Sequence, residues 1–133
     1  MIKTLGIDVY LNTNYDDAIT AVTTELQKEG FGVLTEIDVK ATMKKKLDIE
    51  YRPYKILGAC NPTLAHKALT TAPQVGLLLP CNVTVSEETD GRIHVNIIDP
   101  LQMMGIVEHP ELEAVANEAE ERLRRVAAAL AAD

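Results

Sequence analysis

Cysteine is scarce in this chain: its 133 residues contain two, Cys60 and Cys81. A domain of this length buries a real core without disulfide staples or a structural metal, so neither thiol is needed to hold the fold together. Long hydrophobic runs are missing as well. No segment approaches the ~18 uninterrupted apolar residues of a membrane span, which leaves no membrane partner to expect. The run Met1-Ile2-Lys3-Thr4-Leu5 passes straight into strand-like alternation, without the apolar core and small-residue cleavage site of a secretory signal. The expectation is a cytoplasmic protein with both cysteines reduced.

Other absences narrow the function. The seven glycines form neither a phosphate loop nor a dinucleotide fingerprint. No two cysteines or histidines have zinc-motif spacing, so no metal site is assigned and the cofactor is left unspecified. Positive charge is short: the net charge is −7 and aromatics make up 4% of residues. An acidic surface without a basic stripe interleaved with aromatics repels phosphate backbones, so nucleic acid is not an expected partner. The one basic cluster, Lys44, Lys45 and Lys46, reads as a solvated helix face. Repeats, low-complexity tracts and linkers are also lacking, which points to a single domain over residues 1–133.

What is present is a globular balance of 47% hydrophobic and 25% charged residues. Ile2 to Leu11 suits a first strand. Asn14 then caps a helix from about Tyr15 to Glu29, with Ala18, Ile19, Val22 and Leu26 on its buried face and Gly30 closing it. Phe31 to Asp38 resumes strand character, Val39 to Leu47 is a short helix or turn, and Tyr54 to Ala59 is a strand. Asn61-Pro62 opens a helix, because asparagine caps free amides and proline at the first position loses no hydrogen bond. Leu64, Ala65, Ala68 and Leu69 supply its buried face. Val75 to Glu87 and Arg92 to Asp99 form a hairpin through Thr89-Asp90-Gly91. Glu111 to Ala131 repeats apolar residues at Leu112, Val115, Ala119, Leu123, Val126 and Leu130, one face of a long helix. This order lacks the regular alternation of a parallel nucleotide-binding sheet, so the fold class is α+β.

The chemistry-bearing residues collect in two motifs, Gly58-Ala59-Cys60-Asn61-Pro62 and Leu78-Leu79-Pro80-Cys81-Asn82-Val83. Cys60 precedes a helix start, where free amides stabilise a thiolate; its bland alternative is a small buried hydrophobe. Cys81 follows a proline inside an otherwise apolar strand, which implies a bulge or an edge there. His94 falls on the polar face of its strand and is expected to face solvent, while His66 and His109 are explained by exposure and capping. Glu36, Asp38 and Asp99 are read as turn and solvation residues, and Tyr54, beside Tyr51 and Pro53, as a pocket-lining candidate.

These motifs, with Glu36-Ile37-Asp38, Pro53-Tyr54-Lys55-Ile56-Leu57 and Ile98-Asp99-Pro100, resemble the family named domain of unknown function 302, over about half the chain. The resemblance implies an antiparallel sheet with packed helices, similar to the TATA-box-binding-protein-like fold, and a homodimer. It implies no settled activity and carries no DNA-binding inference, since fold does not transfer function. The leading expectation is a small-molecule-binding or thiol-reactive domain, with Cys60 the reactive thiol, Cys81 its resolving partner, and Asn61, Asn82 and Tyr54 contacting the ligand. The alternatives are a non-enzymatic homodimeric scaffold with packed thiols, and a soft-metal or haem protein using Cys60, Cys81, Met103, Met104 or a histidine.

Overall fold

The structure is a computed structural model that describes residues 4–132. In chain order it contains β1 (Gly6–Leu11), α1 (Tyr15–Lys28), β2 (Gly32–Asp38), α2 (Val39–Leu47), β3 (Tyr54–Cys60), α3 (Pro62–Thr71), a 3₁₀ turn (Pro73–Leu78), β4 (Cys81–Glu87), β5 (Ile93–Ile98), α4 (Pro100–Met104) and α5 (Pro110–Ala131). The strands form one sheet in the order β1-β5-β4-β3-β2, and every neighbouring pair is antiparallel. This is an α+β architecture, as expected. Ile2 and Lys3, the expected start of the first strand, lie outside the described residues. Among the described residues, no helix is long and apolar enough to cross a membrane.

Local chemistry places the helices. The Asn14 side chain accepts the Asp17 N–H at 2.8 Å, Asp16 and Asp17 sit at the positive end of α1, and Gly30 leaves the helix with φ +83°. The turn between β4 and β5 closes as its Asp90-Gly91 pair demands: Gly91 has φ +89° and Asp90 Oδ1 accepts the Arg92 N–H. Three further helices start at a capping side chain followed by proline: Asn61-Pro62, Asp99-Pro100 and His109-Pro110.

Alternation then builds the core. Val83 and Val85 of β4 and Ile93, Val95 and Ile97 of β5 are fully buried, and they pack with Ala18, Val22 and Leu26 of α1 and with Leu123, Val126 and Leu130 of α5. Each such leucine contributes on the order of 1.5–3 kcal/mol by leaving water. A second cluster, Ala68, Val75, Met104, Leu112 and Ala116, lies where α3, the 3₁₀ turn and α4 meet the start of α5. The opposite sheet face carries Asp8, Tyr10, Asn82, Thr84, His94 and Asn96, all at least partly exposed.

Several expectations need correction. Val75 to Leu79 is not strand: Pro73 starts a 3₁₀ turn, and β4 begins only at Cys81. Pro80 therefore stands just outside the ladder, where its missing N–H costs nothing, instead of bulging it. The register shift lies elsewhere, in β2 between Val33 and Thr35. Leu69 is 39% exposed, because the buried stripe of α3 runs through Leu64 and Ala68. α4 was not anticipated. His94 does lie on the outward face, but it is held there: its Nε2 is 2.6 Å from Asp8 Oδ1, its Nδ1 is 3.5 Å from Glu88 Oε1, and its ring stacks on Tyr10. Cross-strand neighbours close enough to touch account for this order.

Candidate functional site

Cys60 is the last residue of β3 and is partly exposed. Asn61, 8% exposed, accepts the Leu64 N–H on Oδ1 at 3.1 Å, and its backbone carbonyl accepts the Ala65 N–H. Pro62 has no N–H. Little donor capacity at the start of α3 is therefore left for a thiolate at Cys60, which weakens the activation expected from the helix end. Asn61, expected as a ligand contact, serves first as the cap of α3. The close approach of its amide to the α1–β2 turn depends on Gly30, where a Cβ would stand 2.8 Å from Asn61 Nδ2.

Cys81, 8% exposed, opens β4 and pairs with Ala59, whereas Cys60 pairs on its other side with Gly32 of β2. The two cysteines are thus one residue out of step across β3 and β4, and both are free thiols. They do not face one another across the ladder as an attacking and a resolving thiol would. Burial pushes the Cys81 thiol up to about 11, with a smaller push from Cys60. At neutral pH it is therefore protonated and a poor nucleophile.

Both cysteines nevertheless line one cavity of about 40 Å³. Ala59 and Phe31 close it from the sheet side, Leu64 and Ala68 from α3, Leu79 and Pro80 from the segment before β4, Met103 and Met104 from α4, and Val115 and Ala116 from α5. Its walls are largely hydrocarbon and sulfur, and among the described residues Asn61 is the one amide-bearing side chain that lines it. The volume is far below the ~300 Å³ of a typical metabolite pocket, and it suits a species of only a few atoms. Sequence reasoning named the cysteines and offered Met103 and Met104 as soft-metal donors, but it did not anticipate α4, which carries the two methionines over the cavity as its roof. The signal for that roof was Asp99-Pro100, the same capping-residue-plus-proline start that marks Asn61-Pro62: Asp99 Oδ1 accepts the Leu101 N–H at 3.0 Å and sets α4 over the cavity.

The other expected contacts lie elsewhere. Asn82 is exposed on the opposite sheet face, and Tyr54 is at the far end of β3 from Cys60, beside Tyr15, Asp38 and Lys55 in a shallow depression. Neither belongs to the cavity. The carboxylates do structural work: Asp38 caps α2 through the Ala41 N–H, and Glu36 pairs with Lys55 at 2.8 Å. Lys44 pairs with Asp48 and Glu50 on the solvated α2. His109 Nδ1 accepts the Glu111 N–H, which is the capping role expected of it. Among the described residues, no cluster of three or more histidine, cysteine or acidic side chains is arranged to hold a metal ion.

The sequence profile of the family described as "Domain of unknown function DUF302" matches residues 7–130. The chain belongs to the DUF302 family. A crystal structure of an uncharacterized conserved DUF302 protein from Bacillus stearothermophilus superposes with a TM-score of 0.88 at 28% identity, covering 96% of this chain and 99% of that one. An uncharacterized protein of Aquifex aeolicus (strain VF5) is 29% identical over 85 residues, which is 64% of this chain and 53% of the relative. The match thus spans about half the length of that curated relative. In this DUF302 domain the two cysteine motifs fall at the C-terminal end of β3 and the start of β4.

Proposed function

We propose that this DUF302 domain is a binding module whose site is the sulfur-lined cavity between β3, α3, α4 and α5, and that Cys60 is the thiol through which a small ligand is reached. The observation that carries this reading is the meeting of both cysteines and two methionines in one apolar cavity, with Cys60 alone of the two thiols open to solvent. The buried, protonated Cys81 and its offset from Cys60 favour a contact residue over a resolving thiol. Asn61 acts by fixing the start of α3 beside Cys60, and Asn82 and Tyr54 have no part in it. The cavity volume argues against a bulky organic ligand or haem.

The test is alkylation of the native protein by a small thiol reagent across a pH series, each cysteine resolved by peptide mass. Cys60 should label at neutral pH and Cys81 only near pH 11 or after unfolding. Equal labelling of both, or of neither, at neutral pH would remove the basis for a site at Cys60. The second outcome would favour the packed scaffold, which the burial of Cys81 also fits.

A further inference from the structure

We propose that the ligand of this cavity is a soft monovalent metal ion of the copper(I) class, held by the Cys60 thiolate together with donors drawn from Cys81, Met103 and Met104. This names the ligand of the site proposed above and rests on that reading. The chain has two cysteines and four methionines, and both cysteines and two of the methionines line this one cavity of about 40 Å³. They come from three separate places in the chain, the end of β3, the start of β4 and α4, so the tertiary fold and not local sequence brings them to a common wall.

The donor set decides the ion. Among the described residues the cavity wall holds no carboxylate, no imidazole and no hydroxyl, which leaves a hard cation such as magnesium or calcium only the Asn61 side-chain oxygen, already engaged in capping α3. Thiolate and thioether sulfur select copper(I), and a thioether is a poor ligand for zinc, whose usual partners are thiolate and imidazole. Charge points the same way. In an apolar cavity an isolated ion is strongly disfavoured, but one thiolate with one monovalent cation is a neutral pair, and the methionines add donors without adding charge. A divalent ion would reach neutrality only by ionising both thiols. Binding is a simple exchange: the Cys60 S–H bond breaks, a sulfur–metal bond forms, the proton leaves to solvent, and no electrons are transferred. The volume suits a bare ion that has shed its water, and Cys60, partly exposed at the strand end, provides the way in.

The experiment is titration of the reduced, metal-free full chain with copper(I) at neutral pH against a coloured copper(I) chelator, with zinc(II) as a parallel probe. The expected result is capture of a single equivalent of copper(I), with ultraviolet thiolate-to-copper absorption and no comparable zinc affinity. Cys60→Ser should weaken capture by more than about tenfold, and Met103→Leu with Met104→Leu, which keeps volume and apolarity, by roughly tenfold. Thermal melts on each variant show that it is folded. No competition with the chelator, zinc bound as well as copper, or capture unchanged in the folded methionine double variant overturns the assignment. Xenon, followed through the methyl signals of Met103 and Met104, separates the two readings: entry of xenon without copper capture removes only the metal, whereas failure of both removes the cavity as a binding site.

Discussion

Replacing Gly58 with alanine should destabilise the protein, although local propensity predicts the reverse. Glycine in a strand interior costs roughly 0.5–1 kcal/mol relative to alanine, so on chain entropy alone Gly58→Ala would stabilise. Gly58, however, lies in β3 between Thr35 of β2 and Asn82 of β4. A Cβ there would press into Thr35 Oγ1 and stand 2.7 Å from Pro80 Cγ. Thr35 is exposed on an edge strand and can rotate away, but the Pro80 ring is fixed by its own backbone and has no such freedom. Overpacking of this kind costs about 1–3 kcal/mol. At about 4 °C per kcal/mol for a domain of this size, the melting temperature should fall by roughly 4–12 °C. Urea unfolding followed by circular dichroism measures the loss, with an unchanged slope marking a true stability effect. Introducing Gly58→Ala into a Thr35→Ala background should recover only part of it, because Pro80 stays. A Gly58→Ala protein as stable as the parent would refute the reasoning, since the close packing of the segment before β4 against β3 would then place no demand on residue 58.

Cys81 links stability to alkaline pH. Its thiol rises from an ordinary 9.0 to about 11 in the fold, so its contribution is complete below pH 9 and is lost as the pH rises through 11, on the order of 2–3 kcal/mol in all. Unfolding curves across that range should therefore decline more steeply for the parent than for Cys81→Ala, and parallel curves would show that the thiol titrates normally. Asn61→Ala removes the cap of α3 and should cost about 1 kcal/mol. It should also speed hydrogen exchange at the Leu64 amide, which the Asn61 side chain holds at 3.1 Å; unaltered exchange there would mean that the helix start is held by something other than the cap.

Elements announced by short-range chemistry were legible in the sequence. The Asn14 cap and Gly30 bound α1, Asp90-Gly91 makes the β4–β5 turn, and the apolar stripe of α5 is buried at Leu112, Ala119, Leu123, Val126 and Leu130, with Val115 half-buried and Ala116 and Ala127 completing the buried face. Val75 to Leu79 misled because a continuous apolar run is compatible with either a strand or a buried turn, and the length of the run does not decide between them. Here the Ala72-Pro73 step begins the 3₁₀ turn, and Val75 points into the second core cluster. At the site, the location of Cys60 and of the Asn61 cap was readable, because both depend on residues a few positions away. The cavity was not, because it depends on where α4 and the start of α5 come to rest against α3, a tertiary outcome with no local signature. The outward position of Asn82 was not legible for a related reason: once β4 begins at Cys81, alternation sends residue 82 to the face opposite Cys81.

The sheet order also has a consequence in time. Among the described residues β1 pairs with β5 and no other strand, joining Gly6 to Ile98 and Leu11 to Ile93. As the chain leaves the ribosome, its first strand thus waits for its partner until more than eighty further residues have been made, with Val9 and Leu11 uncovered throughout. β2, β3 and β4 can pair in the order of their synthesis, whereas β1 can join the sheet only after β5 has formed on its far side. A nascent chain stalled before residue 93 would therefore carry a three-stranded sheet at most, with an apolar first strand free to be bound by a chaperone.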